Sequence, residues 1–527
     1  FYNVAVMIFG TIYRRRHSSQ MTFATRLPAE PPAVAVLYTT CNDFVAASAR
    51  SCVDQDYPEF TVYVLDDSSE QEYQRRVDDF AAQYPERVRV VRRPDRHGFK
   101  AGNINHGLTE VAASEPFFAL ADADEILPRD FLRRMVPRIL AADNCGFVQA
   151  NHQSNPAAPS KLAADMGFGI NAHWRWYHPL RNRYGFVMLL GHGAVLRRAA
   201  WKQIGGFPEI VSEDLAFALR IREHGWRGYF AEDIICYEDF PETIRAFRIR
   251  HMKWTRGTCE FLAKEMWPAL RSRKISLVEK LDVLFPTLNL PLALFYLLFV
   301  IDANLILVSL FGQVQWLTVT LNNTQIALPT LRLNQSFAAV TGVDFFLITF
   351  LTLIAPVLCF VVEMWRRPLQ LLRFLGKSTA IYGTLGPLSC LGVLLYALTG
   401  RAVFHVTADG ANANAVDSAE GRSWARLKTN LRRLLAGSHP DHRLVQIFEI
   451  TCGIVFSLMS IGMLQISFLG LAIGFILLPG MHHVSWEQPL MRRLVYLPFL
   501  LILAGLSLGG LSLFGVQTAL FGYGFHF

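Results

Sequence analysis

Long apolar segments crowd into the second half of this chain, and that asymmetry limits its fold more than any other feature. They fall at 287–312, 343–363, 378–399, 445–480 and 494–514, and a helix needs about 20 apolar residues to cross a bilayer. Residues 20–280 instead mix short apolar runs with charged stretches, as a soluble α/β domain does. The expected architecture is therefore a water-soluble domain joined to a helical membrane domain. The run 445–480 is too long for one span and is expected to turn back near Gly462. "FYNVAVMIFG", followed by "TIYRRR", reads as the last turns of a further membrane helix.

The 51 Lys and Arg against 43 Asp and Glu give a net charge of +8. The excess sits in "RRRH" (14–17), "LRSRK" (270–274), "WRRP" (365–368) and "RLKTNLRRLL" (426–435), each beside an apolar segment. That is the pattern of cytoplasmic flanks. It argues against a nucleic-acid site, which would also have to tolerate the many carboxylates nearby. If 20–280 is cytoplasmic, a crossing at 378–399 would leave the Arg-rich stretch 401–443 outside. Residues 366–399 are therefore read as an interfacial or re-entrant element. The 8 cysteines are scattered without a CxxC pair, so neither structural zinc nor a disulfide framework is expected.

Within the soluble part, "AVAVLYTTC" (33–41), "TVYVLDDSS" (61–69), "VRVVRR" (88–93) and "PFFALADADE" (116–125) read as buried strands. Helical patterns at 44–55 and 71–84 separate them, which predicts a mostly parallel sheet. Ligands bind at the carboxyl ends of such strands. Asp66, Asp67, Asp122 and Asp124 fall at that edge.

Each of these carboxylates has two readings. Asp122 and Asp124, one residue apart after a strand, can meet one divalent cation that also holds a diphosphate, although a lone D-x-D is common in loops. Asp66 and Asp67 are either caps of the following helix or contacts to a nucleotide base or ribose. "SED" (212–214) gives Ser212 as a helix cap with Glu213 and Asp214 in the first turn, or Asp214 as a general base that takes a proton from an attacking sugar hydroxyl. In "AFRIRHMKWTRG" (246–257), Arg250, Lys253, Trp254 and Gly257 share one helix face. Cations flanking an indole suit a phosphate-and-sugar site better than a solvated face.

In this order, "LDDSS", "HGFKAGNIN", "ADADEILPRDF", "FVQANH", "LLGHGAVLRRAAW", "GGFPEIVSEDLAFALRIREHGW", "RHMKW" and "RAVFHVT" resemble the motifs of membrane-embedded processive family-2 glycosyltransferases, the superfamily of cellulose, curdlan and hyaluronan synthases. The resemblance covers roughly 33–440. It implies an α/β GT-A (Rossmann-like) cytoplasmic domain fused to an α-helical transmembrane domain with amphipathic interface helices. The expected parts are the end of a membrane helix (1–19), the catalytic domain (20–265), an interface helix with a first transmembrane pair (266–365), an interface helix and gating loop (366–443), and C-terminal transmembrane helices (444–527).

The resemblance also implies roles. Asp214, with Glu213, would be catalytic. Thr40, Asp43, Asp66, Asp67, Lys100, Asp122, Arg250 and Lys253 would lie about the donor. Phe404, Val406 and Thr407 would belong to a gating loop closing over it. Gly191, His192, Gly193 and Trp254 would meet the acceptor. Asp122 and Asp124 would hold Mg2+ or Mn2+. The implied reaction is inverting, processive transfer from a UDP-sugar, UDP-glucose giving a β-glucan first, with export through the protein's own channel. The setting would be the plasma (bacterial inner) membrane, with an envelope subunit or a second copy as partner and no nucleic acid. The alternatives are single addition to a lipid acceptor, or a transporter or structural membrane protein with a degenerate soluble domain. Three positions depart from the family pattern. Arg250 replaces the Gln of QxxRW, Lys253 replaces its Arg, and Asp409 stands where the gating loop has Lys.

Overall fold

The computed structural model describes residues 2–16, 26–112, 114–321, 324–333, 351, 354–402, 439–462 and 464–513. Eight strands form one sheet. β1 (Val34–Thr40), β2 (Phe60–Asp66), β3 (Val88–Val91) and β4 (Phe117–Asp122) realise the four apolar runs. β5 (Glu125–Ile126), β6 (Cys145–Ser154), β7 (Ala194–Arg197) and β8 (Arg227–Glu238) complete it, in the order β3-β2-β1-β4-β7-β6-β8-β5.

Both faces of β1, β2 and β4 are buried, which explains why their sequences are apolar throughout rather than alternating. Val34, Val36 and Tyr38 pack on one side with Val62, Val64 and Ala119. Ala35 and Leu37 pack on the other with Leu65, Phe118 and Leu120. Helices Ala46–Val53 and Gln71–Ala82 cross between the parallel strands, each slightly shorter than its sequence pattern.

The expectation of a mostly parallel sheet holds for β1 to β4 and fails beyond them. β7 runs antiparallel to both β4 and β6, and β5 antiparallel to β8, while β6 and β8 are parallel. The cause is where β7 starts. The segment before it lies along the carboxyl edge, with Gly193 N–H donating to Leu120 O at 2.9 Å. A strand leaving that edge must run opposite to β4.

Among the described residues, three helices are long and apolar enough to cross a membrane: Pro368–Thr399, Arg443–Gly462 and Pro489–Leu508. Leu277–Leu288 with Ala293–Phe299 makes a fourth candidate, bent by 62°. The predicted hairpin near Gly462 is present, since Ile466–Gly480 follows Arg443–Gly462 directly. The element read as interfacial is continuous enough to cross by length. It is nevertheless interrupted at Thr379–Gly383, and Gly392 lies against Met252 and Thr255 of the soluble domain. Between the first two apolar runs, Gly312–Leu321 and Thr324–Leu333 pair as an antiparallel hairpin. Residues 343–350, 352 and 353 of the run 343–363 lie outside the described residues.

Candidate active site

Register fixes the first half of the site. Thr40 stands opposite Asp66, and Thr39 opposite Asp122, so the ends of β1, β2 and β4 line up along one edge. Asp122 Oδ1 accepts from Thr39 Oγ1 at 2.7 Å and from Lys100 Nζ at 2.5 Å. Lys100 also donates to Gly191 O at 3.0 Å. Burial opposes the charge of both partners, but each offsets it for the other. Asp122 is held below the usual carboxylate range and Lys100 above the usual amine range.

Asp124 differs. Its side chain is open to solvent, and among the described residues no hydrogen bond or ion pair is recorded for it. The walls of the site and the neighbouring Asp122 push it up to about 7, a shift that solvent at its tip moderates. Two carboxylates one residue apart, one neutralised by lysine and the other not, fit a divalent cation held mainly by Asp124 and the second oxygen of Asp122.

Asp43 Oδ1 accepts from Thr40 Oγ1 at 2.8 Å and from Cys41 N at 2.7 Å, and burial raises its pKa. Asp66 and Asp67 are not helix caps. The helix Gln71–Ala82 begins after Glu70, which makes no side-chain capping bond. Asp66 is buried, accepts from Ser68 N at 2.9 Å and pairs with Arg92 at 2.7 Å. Asp67 is gripped by both arms of Arg93, at 3.0 and 2.7 Å. The same guanidinium donates to His97 O and Phe99 O. It thereby ties the end of β2 to the loop that presents Lys100.

From the opposite wall comes the helix Glu213–Glu223. Ser212 precedes it without a side-chain capping bond, so the cap reading fails for that residue. Asp214 Oδ1 accepts from Leu215 N at 2.7 Å. Burial raises both Glu213 and Asp214, and repulsion from Asp214 adds to the shift of Glu213. Gly191, at φ +81°, sits so close that a Cβ there would lie 3.2 Å from Asp214 Oδ2 and 3.4 Å from Lys100 Nζ. Asp214, Lys100, Asp122 and Gly191 thus converge on one place. His192 points elsewhere. Its ring stacks on His152 with centroids 4.2 Å apart, between Glu125 and Glu238. Burial alone would lower its pKa, but Glu125 outweighs that and pushes it up to about 10.

The helix Ile244–Phe261 divides its basic residues between two duties. Arg248 is fully buried against Glu449 and His482, His251 bonds Ser389 at 2.7 Å, and Arg256 donates to Arg401 O at 2.8 Å. These fasten the soluble domain to the apolar helices. The remaining face turns to the site. Arg250 lies 4.7 Å from the Trp254 ring centroid and 5.0 Å from that of Phe240. Lys253 is lowered by burial, with Glu213 acting against that shift. Gly257 permits the close approach, since a Cβ there would fall 2.9 Å from Val211 and 3.0 Å from Ser212 Oγ. Trp254 remains half exposed. Phe404, Val406, Thr407 and Asp409 lie outside the described residues.

Four residues went unread in the sequence: Arg93, Glu125, His152 and Glu238. The signal for Glu125 and His152 was present, since they end "ADADE" and "VQANH". Nothing local marks Arg93 or Glu238.

A mixed sheet with a D-x-D after its fourth strand and an acidic helix start opposite it is the layout of a nucleotide-sugar transferase domain. Residues 31–257 match the family model "Glycosyltransferase like family 2", and this segment is a family 2 glycosyltransferase domain. Relatives include probable glucomannan 4-beta-mannosyltransferase 11 of Arabidopsis thaliana, 26% identical over 42% of this chain and 52% of its own length. Probable glucomannan 4-beta-mannosyltransferase 6 of Oryza sativa is 28% identical over 42% and 39%. Putative cellulose synthase 2 of Komagataeibacter xylinus is 25% identical over 44% and 16%. The matches span about half or less of those relatives' own lengths. The solved mannosyltransferase PcManGT from Pyrobaculum calidifontis, in complex with GDP-Man and Mn2+, superposes on 54% of this chain and 76% of its own. The TM-score is 0.42 and the identity 21%, too low for any residue role to be carried over.

Proposed function

We propose that this chain is a membrane-bound, inverting and processive hexosyltransferase that builds a β-linked polysaccharide from a nucleotide-activated sugar. The observation that carries the reading is the convergence of Asp214, Lys100, Asp122 and Gly191 at the carboxyl edge of the sheet. Asp214 accepts the proton of the attacking hydroxyl, and its raised pKa suits that task. Lys100 and Lys253 place positive charge where the diphosphate leaves, and Asp43 and Asp67 line the nucleotide side. Trp254 offers its indole to the acceptor sugar. Mg2+ or Mn2+ at Asp124 and Asp122 supplies charge neutralisation of the leaving diphosphate.

UDP-glucose remains the first donor proposed. The β-mannosyltransferase names among the relatives make GDP-mannose the alternative to test beside it. The membrane helices are proposed to carry the product outward, with the catalytic domain on the cytoplasmic side, and Phe404, Val406 and Thr407 to close over the donor.

The test incubates purified full-length chain with Mg2+ or Mn2+ and radiolabelled UDP-glucose or GDP-mannose, then sizes the product. A high-molecular-weight polymer is expected. One sugar on extractable lipid would replace processive synthesis by single addition, and turnover undiminished in Asp214→Asn would remove the proposed base.

A further inference from the structure

One cation at the site lacks the partner that its neighbours have. On the helix Ile244–Phe261, Arg248 pairs with Glu449 and Arg256 donates to Arg401 O. Among the described residues Arg250 has no hydrogen bond or ion pair, and its Nε is buried without a partner. Burial lowers its pKa, and Tyr382, Glu238 and Asp124 counter that shift without pairing with it. A charge withdrawn from water without a partner is costly, so a ligand is expected to supply one.

The surroundings say which ligand. The guanidinium carbon lies over the Trp254 ring, 4.7 Å from its centroid, and over that of Phe240 at 5.0 Å. Aromatic rings take up the faces of a guanidinium and leave its edge, from which all of its N–H groups donate. That edge matches a planar carboxylate with two parallel bonds. The diphosphate belongs to the other side of the helix face. The carboxylates that act on Lys253 are Glu213 and Asp122, whereas those that act on Arg250 are Glu238 and Asp124. Trp254, 50% exposed, is the platform assigned above to the acceptor sugar. The anion that meets Arg250 is therefore one carried by the sugar on that indole. A hexuronate carries its carboxylate at the rim of the pyranose ring, clear of the face that stacks.

We propose that Arg250 binds the carboxylate of a hexuronate at the acceptor position, so that the growing chain contains acidic sugars. This rests on the transfer reading above and names the class of its acceptor. The family pattern has Gln where this chain has Arg250, and a neutral amide suits a neutral sugar. The donors then include a nucleotide-activated hexuronate, beside or in place of the neutral sugars named above.

The test measures binding to the full-length protein in detergent by calorimetry. The probes are β-1,4-linked tetramers of glucuronate and of mannuronate, each beside its neutral counterpart, and UDP and GDP with Mn2+. The unmodified chain should bind one of the acidic tetramers at least about tenfold more tightly than its neutral counterpart. Arg250→Gln should bring that ratio to about one and leave nucleotide affinity unchanged. Arg250→Lys keeps the charge but loses the fork, so it should keep only part of the ratio. It decides the matter if Arg250→Gln does not fold. Equal affinity for acidic and neutral tetramers in the unmodified chain would overturn the proposal. So would an Arg250→Gln variant that keeps the ratio and loses nucleotide affinity, since the arginine would then serve the diphosphate. If the unmodified chain binds neither nucleotide, the transferase reading fails and this proposal with it.

Discussion

Replacing Arg248 by Met tests how the two halves of the molecule are held together. Arg248 and Glu449 form an ion pair whose side chains are 0% and 2% exposed, joining the helix Ile244–Phe261 to the apolar helix Arg443–Gly462. Arg248 also bonds His482 at 2.9 Å. Removing one member of such a pair leaves the other charge buried without compensation, which costs about 3–5 kcal/mol. Replacing both by apolar groups of similar volume removes the desolvation penalty along with the attraction and is often neutral. At about 2–4 °C per kcal/mol for a unit of 150–250 residues, Arg248→Met should lower the melting midpoint of the detergent-solubilised protein by about 6–20 °C. Arg248→Met with Glu449→Leu should recover most of that loss. The double-mutant cycle, read by thermal unfolding, is the assay. A shift below about 3 °C in the single variant would mean that the pair is wetter than its burial implies, on the scaling above. A double variant no better than Arg248→Met would mean that the arginine acts mainly through His482.

Four further outcomes follow from the site. Asp214 must be ionised to act as base and its pKa is raised, so the acidic limb of kcat/KM should lie above the ordinary aspartate range, about 3.9; a limb at that ordinary value would contradict the assignment. An acid with a raised folded pKa contributes stability below its unfolded pKa that is lost as pH rises through the folded one; Asp214→Asn should therefore melt higher than the unmodified chain at pH 8 while losing about 100-fold or more in turnover. Gly193 is at φ +56°, where a methyl group would overlap His152 Nε2 and Glu125 Oε1; Gly193→Ala should cost about 1–2 kcal/mol in backbone strain and about 1–3 kcal/mol in overpacking, seen as a lower melting midpoint, and an unchanged midpoint would show that the loop relaxes freely. Arg93→Lys exchanges a two-armed grip on Asp67 for a point charge; losing one charge-assisted bond of about 1.5–3 kcal/mol should lower kcat/KM roughly 10–150-fold by loosening the loop of Lys100, and full activity would separate that loop from the reaction.

What the sequence determined by itself was local or strictly ordered along the chain. Strands buried on both faces must be apolar at every position, so β1, β2 and β4 were visible as continuous runs ending in Asp66 and Asp122. The helical spacing of Arg250, Lys253, Trp254 and Gly257 placed them on one face before any fold was known. The partners of those residues were decided by tertiary structure. Arg248 and Arg256 look like the rest of the same basic stretch, yet they are buried because Glu449 and the Arg401 carbonyl, contributed from far along the chain, meet them. The antiparallel entry of β7 was equally hidden, because strand direction depends on which edge the preceding segment reaches and not on the strand's own residues. Asp66 and Asp67 carried a helix-cap signal, and the Arg92 and Arg93 side chains outcompeted it. The His152–His192 stack joins residues on β6 and on the segment before β7, neither distinctive alone. Only when the sheet closes do two imidazoles and two carboxylates share one buried space.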